Sequence, residues 1–548
     1  MMRHYLSILE ETMTKQWNEP ALSNFQGETF IHAEVAAEIA KLHIIFDRLG
    51  MKAGDKVALC GKNSARWAIA FLAVQTKRCV SVPILNEFTP EMMQNLAIHS
   101  ESRILFTEKK MWSNLDGMNM PDILAVIDLS DFQPLYLKDE SNAELFNNID
   151  TEFSKAYPNG FRPEMMKYAS DDLDSLAVIN YSSGTTGSPK GIMLSARNIS
   201  SNVEFGLSSV PCTPGKDTIL SMLPMAHMYG LAFEFLYTFC GGCHVYFLGR
   251  TPSPSILLKA FAEVKPYLLI AVPLVIEKIF KNKIMPALDK TGVRILMKIP
   301  FLNRIVYSSI RKKLIGAFGG NIREIDIGGA ALSKPVEHLM KKAGIPYTVG
   351  YGMTECAPLI GYITPSKTVL GACGKIVTNN EIRVDSEKPH KIVGELQVKG
   401  DNVMLGYYKN EEATRATFTD DGWLRTGDLG IIDKNGYIYI KGRSKCMILT
   451  SNGQNIYPEE IEDILKDMPY VSECLVVERN KQLIAIVSPL KDKDHPLTEA
   501  KDLLPIMEQN RMQLNKLLPA YSKIQSIELI DGGFVHTPKH SIKRHLYN

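Results

Sequence analysis

Tyr181-Ser182-Ser183-Gly184-Thr185-Thr186-Gly187-Ser188-Pro189-Lys190-Gly191 is the stretch whose residue types best suit chemistry on an anion. Gly184, Gly187 and Gly191 let the backbone turn tightly and approach a ligand closely. The hydroxyls of Ser182, Ser183, Thr185 and Thr186, the backbone N–H groups and the Lys190 ammonium then supply donors and positive charge, the parts of an anion-binding concavity. A triphosphate is the obvious occupant. This is not the Walker loop, which needs G-x-x-x-x-G-K-[ST] leading into a helix; here Pro189 precedes the lysine and Gly191 follows it. A plain Gly/Ser/Thr surface turn is the competing reading.

Further candidates fall at strand ends. Ile325-Asp326-Ile327-Gly328-Gly329-Ala330-Ala331-Leu332 reads as a strand running into a glycine turn, where a flat ring could lie against the bare backbone of Gly329 and Ala330. Ile345 to Val349 reads as another strand, ending in Gly350-Tyr351-Gly352-Met353-Thr354-Glu355. Ligands of open α/β sheets gather at such carboxyl ends. Tyr351 can stack on a base, Thr354 can bond a phosphate, and Glu355 can hold Mg²⁺ through oxygen. Asp428, in Trp423-Leu424-Arg425-Thr426-Gly427-Asp428-Leu429-Gly430, reads alone as a turn acceptor. Arg443 can meet ribose or phosphate oxygens with its planar fork. His227 lies in the apolar run Leu223 to Gly230, where a lone histidine is more often a core residue than a catalyst. Around it Met225, Met228, Leu231, Phe233, Phe235 and Leu236 supply adaptable apolar surface.

The elements that must position these residues are legible in outline. Residues 30–50 carry Val35, Ile39, Leu42, Ile45 and Leu49 at helical spacing, ending at Gly50. Strand Lys56 to Cys60, a helix Trp67 to Val74 capped at Asn63-Ser64, and strand Cys79 to Leu85 imply a parallel crossover unit. Leu176 to Asn180 is a buried strand leading into the glycine loop. Gly394-Glu395-Leu396 and Gly406-Tyr407-Tyr408 carry the strand and turn signals of a small β subdomain. Beyond Lys445 roughly 100 residues suffice for a separate domain. It opens with a helix at Pro458-Glu459-Glu460, followed by strands Cys474 to Glu478 and Leu483 to Val487.

At 548 residues the chain is long enough for several domains or subdomains. Its 45% hydrophobic and 22% charged content are those of a globular enzyme, and a net charge of +2 gives no case for nucleic acid. Nine scattered cysteines suit a reducing cytoplasm, and Cys240-Gly241-Gly242-Cys243 reads as a tight turn with nothing to complete a zinc site. The opening lacks a signal-peptide pattern, and no run approaches the ~18–20 apolar residues of a membrane span, so a soluble cytoplasmic protein is expected. From Arg294 to Arg323 every charge is basic, mixed with Ile295, Leu296, Ile299, Phe301, Leu302, Ile305 and Val306 and broken at Pro300. A solvated helix face and peripheral contact with an anionic membrane both stay open.

Taken together, the loop at 182–190, the Gly328-Gly329-Ala330 turn, Tyr351 to Glu355 and Trp423 to Gly430 resemble, in this order, the acyl-adenylate-forming (AMP-binding) superfamily. Within it the chain looks most like bacterial long-chain fatty-acid–CoA ligases, over about residues 25–548. The resemblance implies an α/β fold. A large N-terminal region of stacked α/β subdomains plus a small β subdomain would span 1–442, with a hinge at 443–446 and a small mobile α+β C-terminal domain at 447–548. It further implies an ATP/AMP site at Ser182, Ser183, Gly184, Thr185, Thr186, Gly187, Gly329, Ala330, Tyr351, Gly352, Thr354, Asp428 and Arg443. Lys190, Thr354 and Glu355 would be catalytic, with Glu355 holding Mg²⁺. His227 and Gly230 would line the carboxylate pocket, Lys445 would be the hinge residue, and Gly453 would lie in the CoA loop. No aspartate matches the pattern that holds an amino acid's ammonium, so an apolar acid is expected.

One position departs from the pattern. The family closes with a catalytic lysine after Thr-Pro; here Thr537-Pro538 aligns without a gap to Ser541, and with one to Lys543. In an extended strand 539, 541 and 543 share a face at steps of ~6.6 Å, so Lys543 is taken first and Lys539 second. The implied reaction joins a medium- or long-chain fatty acid to ATP as an acyl-adenylate, and CoA then displaces AMP. The alternatives are an acyl-AMP ligase loading a carrier protein's phosphopantetheine, and a nucleotide- and acyl-binding sensor without efficient adenylation. Oligomeric state is not legible.

Overall fold

The computed structural model describes the chain apart from residues 1, 114, 116–119, 183–188, 281–283, 289, 450–454, 481, 491–499, 538–541 and 548. Ser183, Gly184, Thr185, Thr186, Gly187, Gly453, Lys539 and Ser541 thus lie outside the described residues.

Two large sheets dominate. One runs, strand by strand, Gly406–Tyr407, Lys190–Ser195, Leu176–Ser182, Val80–Ile84, Lys56–Cys60, Ser102–Thr107, Ala125–Asp128 and Pro134–Leu137. Lys56–Cys60 pairs in parallel with Val80–Ile84, so the expected crossover is present. Its helix, Ala65–Thr76, starts where Ser64 Oγ accepts the Trp67 N–H at 3.1 Å, and it is buried on every side. The second sheet runs Tyr347–Val349, Glu324–Ile327, Leu268–Ala271, Thr218–Ser221, His244–Phe247, Pro20–Asn24 and Thr29–Ile31. The helix expected over 30–50 begins only at His32, because Phe30 pairs with Leu22 as part of that last strand.

One core, including Trp67, Phe71, Phe235 and Phe239, joins helices and sheet faces; another, with Phe261, Ile310, Leu314, Leu269 and Ile325, covers the opposite face of the second sheet. A four-stranded antiparallel sheet follows, Asn380–Asp385, Gly394–Gly400, Leu424–Ile432 and Ile438–Arg443. Gly406–Tyr407 does not belong to it, contrary to the expectation. It pairs with Ile192 and Met193 at the edge of the first large sheet, closed by Leu405 N–H to Met193 O and Tyr408 N–H to Gly191 O. An unpaired edge strand captures any extended segment that reaches it. The small C-terminal domain packs helices Pro458–Leu465 and Ala500–Leu517 on Val471–Arg479, Gln482–Pro489 and a third strand, Ser526–Leu529. Pro300 separates helices Thr291–Lys298 and Leu302–Ala317. No helix among the described residues is long and apolar enough to cross a membrane.

Candidate nucleotide and acyl site

Ser182 and Lys190 face each other across the antiparallel pair that flanks the glycine loop. The Lys190 ammonium lies 4.8 Å from the centre of the Tyr407 ring. On the other side the Tyr407 hydroxyl donates to Glu355 Oε1 at 3.0 Å, while Met404 N–H donates to the Glu355 carbonyl at 2.8 Å. An edge strand thereby joins the loop lysine to the Tyr351–Glu355 segment. Tyr407 carries no local signal of this role, since only its pairing across the sheet edge puts it there.

Asp428 stands on the strand Leu424–Ile432, not in a turn, directly opposite Arg443. Its Oδ1 meets Arg443 Nε at 2.8 Å and its Oδ2 accepts the Tyr351 hydroxyl at 2.7 Å. Only 5% of Asp428 is exposed. Burial pushes its carboxyl up, with Arg443 and Tyr351 pulling the other way and the Glu355 charge adding to the rise. The Arg443 side chain is 55% accessible, which leaves its guanidinium open to an anion from solvent. Thr426 and Glu395 hold the Asp428 backbone: Thr426 Oγ1 accepts the Asp428 N–H at 3.0 Å, and Glu395 Oε1 accepts the Gly427 N–H at 3.1 Å.

Close backbone approach explains two glycines. A Cβ on Gly352 would lie 2.2 Å from the Pro358 carbonyl oxygen, so no other residue fits. Gly329 has φ +88° and only Val272 near it, which keeps the surface over Gly329 and exposed Ala330 open. Thr354 is buried in the short 3₁₀ turn that presents Glu355. The Tyr351 ring belongs to the core, and its hydroxyl is engaged by Asp428.

His227 is half-buried, its Nδ1 in contact with the Tyr229 N–H at 3.3 Å. The chain then enters a π-helix, Gly230–Leu236, a geometry that clusters at functional sites. Gly230 starts it against the Pro224 carbonyl, 2.7 Å from where a Cβ would stand. Glu234 inside it is fully buried, and its Oε2 accepts the Met222 and Leu223 N–H groups at 3.0 and 2.9 Å, so it braces the His227 loop. Burial holds this carboxyl well above the ordinary range.

Toward the carboxyl end, Lys445 is exposed on the 3₁₀ turn Ser444–Cys446 that leaves the four-stranded sheet. Lys543 is held through its backbone, its N–H donating to Val535 O at 2.9 Å, and among the described residues its side chain makes no hydrogen bond or ion pair with Lys190, Glu355 or Asp428. Arg544 beside it is the cation that packs inward, against Glu462. No group of three or more His, Cys, Asp or Glu among the described residues forms a metal cage. Glu355 with Thr354 offers hard oxygen donors, which fits Mg²⁺, an ion that takes one or two carboxylates and fills its shell with water and phosphate oxygens.

Comparison with known proteins agrees in extent. A family model described as AMP-binding enzyme matches residues 9–408, and one described as AMP-binding enzyme C-terminal domain matches residues 445–548. A long-chain-fatty-acid–CoA ligase of Mycobacterium bovis, FadD15, is 30% identical over 481 residues, covering 82% of this chain and 76% of the relative. Long-chain-fatty-acid–CoA ligase 1 of Saccharomyces cerevisiae is 25% identical, covering 92% and 78%. The crystal structure of ATP-bound MatB from Rhodopseudomonas palustris superposes with a TM-score of 0.75 at 23% identity, covering 100% of this chain and 98% of MatB, a likeness of fold.

Proposed function

This chain belongs to the family of AMP-binding enzymes, and on that premise we propose that it is an AMP-forming fatty-acid–CoA ligase acting on medium- to long-chain acids. The observation that carries the reading is the row Lys190, Tyr407, Glu355 beside the group Tyr351, Asp428, Arg443. A cation, a metal-binding carboxylate and a buried carboxylate suited to ribose hydroxyls stand together although they come from remote parts of the chain. The likeness to long-chain ligases supports the acyl half.

In the first step a carboxylate oxygen of the acid attacks the α-phosphorus of ATP. The bond to pyrophosphate breaks, and pyrophosphate leaves with the electron pair. Two anions must be brought into line, so the protein's task is positioning and charge compensation. Lys190 and the loop residues 182–187 hold phosphate oxygens, Asp428 and Arg443 hold the ribose, and Gly329, Ala330, Tyr351 and Gly352 bound the base. Mg²⁺, held by Glu355, supplies positive charge at the phosphates when bound. His227 and Gly230 flank the acid's carboxylate. In the second step the CoA sulfur attacks the acyl carbon, the carbon–oxygen bond to AMP breaks, and the thiol proton passes to solvent. For this the domain 447–548 turns about the hinge 443–446 at Lys445, exchanging Lys543 for the Gly453 loop.

The exposed residues Ile295 (57%), Phe301 (74%) and Ile305 (65%), interspersed along the chain with Arg294, Lys298 and Arg304, support peripheral contact with an anionic membrane by a cytoplasmic protein. Co-sedimentation with phosphatidylserine vesicles that is lost in Phe301→Ser tests that part.

AMP release across a panel of fatty acids, with and without CoA, tests the whole. Release that depends on acid and is accelerated by CoA is expected. Absence of release with every acid overturns the reading. Turnover with a holo carrier protein but not CoA would favour the carrier-loading ligase. Acid-dependent pyrophosphate exchange excludes a mere sensor.

A further inference from the structure

Alternation along the strand Glu324–Ile327 puts Glu324, Asp326 and Gly328 on one face and Ile325 and Ile327 on the other. The second face is apolar and packs into the core with Leu269 and Ala271. The first face looks toward the segment that carries Tyr229. The Tyr229 hydroxyl donates to the Asp326 carbonyl at 3.1 Å, and a Cβ on Gly328 would stand 3.1 Å from that same hydroxyl. This face therefore leads down from the pocket at His227 and Gly230. The Tyr229 ring covers Gly328 on this face, and Asp326 and then Glu324 follow at steps of ~6.6 Å, so an acyl chain that passes the Tyr229 ring meets Asp326 first.

That path is not hydrocarbon-like. The Tyr362 hydroxyl donates to Glu324 Oε1 at 2.6 Å. Burial, with the Glu324 charge adding to the rise, holds the Asp326 carboxyl well above the ordinary carboxylate range. Asp326 is half-buried on a strand in the interior of the second sheet. Its Oδ1 has no hydrogen-bond partner among the described residues. Neither has Thr348 Oγ1, which stands at the paired position of the neighbouring parallel strand. Unpaired buried oxygens are costly, and two at one level of a sheet mark a place where a donor belongs.

We infer that Asp326, backed by Glu324 and flanked by Thr348, is a specificity-determining residue that accepts a hydrogen bond from a hydroxyl or ammonium partway along the acyl chain. The substrate class is then a carboxylic acid bearing such a donor on its chain, in preference to the plain alkanoic acid of equal length. The inference rests on the ligase reading and narrows it.

The test is AMP release by the full-length enzyme with acids of matched carbon number, unsubstituted, hydroxylated and aminated at successive positions. Wild type is expected to favour a substituted acid by about tenfold or more in kcat/KM, since a site built to bond a donor rejects the analogue lacking it. Asp326→Val should reverse that preference, and Asp326→Asn should keep part of a hydroxyl preference while abolishing an ammonium one. Should Asp326→Val fail to fold, Thr348→Val, which removes the neighbouring hydroxyl at little change in volume, must narrow the same ratio. Equal or better use of unsubstituted acids by wild type, or a ratio unmoved in the folded variants, overturns the inference and leaves the ligase reading intact. No AMP release by wild type with any acid overturns the ligase reading instead.

Discussion

Tyr407 stands between the two groups that a metal-bound phosphate chain would meet. Its ring receives the Lys190 ammonium and its hydroxyl fixes Glu355. Tyr407→Phe keeps the ring and removes the bond, so a loss of about 1 kcal/mol is expected, roughly fivefold in acid-dependent pyrophosphate exchange. The Mg²⁺ titration of that exchange should shift with it. Asp428→Asn separates binding from stability. Arg443 is largely open to water, so thermal unfolding should move little. A charge-assisted bond of about 1.5–3 kcal/mol to ribose would be weakened, and kcat/KM for ATP should fall by about tenfold or more. An unchanged KM for ATP would remove Asp428 from the nucleotide site.

At the scale of elements, Gly230 opens the π-helix that, on the proposed reading, borders the acyl pocket. Gly230→Ala drives a methyl into the Pro224 carbonyl, a backbone atom that cannot swing aside. A destabilisation of about 1–3 kcal/mol is expected from chemical denaturation, with a raised KM for the acid. The helix Pro458–Leu465 carries a different strain. Burial pushes Glu462 up to about 7, despite the guanidinium of Arg544 and with Glu459 adding to the rise. A carboxyl whose pKa is higher in the folded chain binds its proton more tightly there, so its contribution to stability is present below about 4.5 and lost as pH rises toward 7. Hydrogen exchange in residues 458–489 should therefore quicken across that window, and Glu462→Gln should flatten the dependence. Elements such as the helix capped by Ser64 and the strand Lys56–Cys60 were legible because caps and apolar runs act within a few residues. The edge strand at Gly406–Tyr407 was not, because its partner lies more than two hundred positions away and its residues alone read as a turn.

The whole molecule joins its small domain to the large one through polar contacts of modest strength. Lys441 Nζ meets Glu460 Oε1 at 2.9 Å, partly open to solvent, and the buried Ser333 Oγ donates to the half-buried Asp467 carboxylate at 2.9 Å. Such contacts are weak enough to exchange during a domain rotation. Lys445→Pro, which fixes φ at the proposed hinge, should leave acid-dependent pyrophosphate exchange nearly intact and slow thioester formation about tenfold or more. Equal loss in both half-reactions would move the pivot elsewhere.

By itself the sequence made the family resemblance and the order of its motifs legible, because a glycine loop, a strand end and a proline-led helix start are written in consecutive residues. Only the tertiary structure decided that Tyr407 bridges Lys190 to Glu355, that Asp428 faces Arg443 from a strand, and that Asp326 Oδ1 and Thr348 Oγ1 stand at one level of a sheet with no hydrogen-bond partner among the described residues. Those are matters of register between strands distant in the chain, and no local pattern of residue types carries that information.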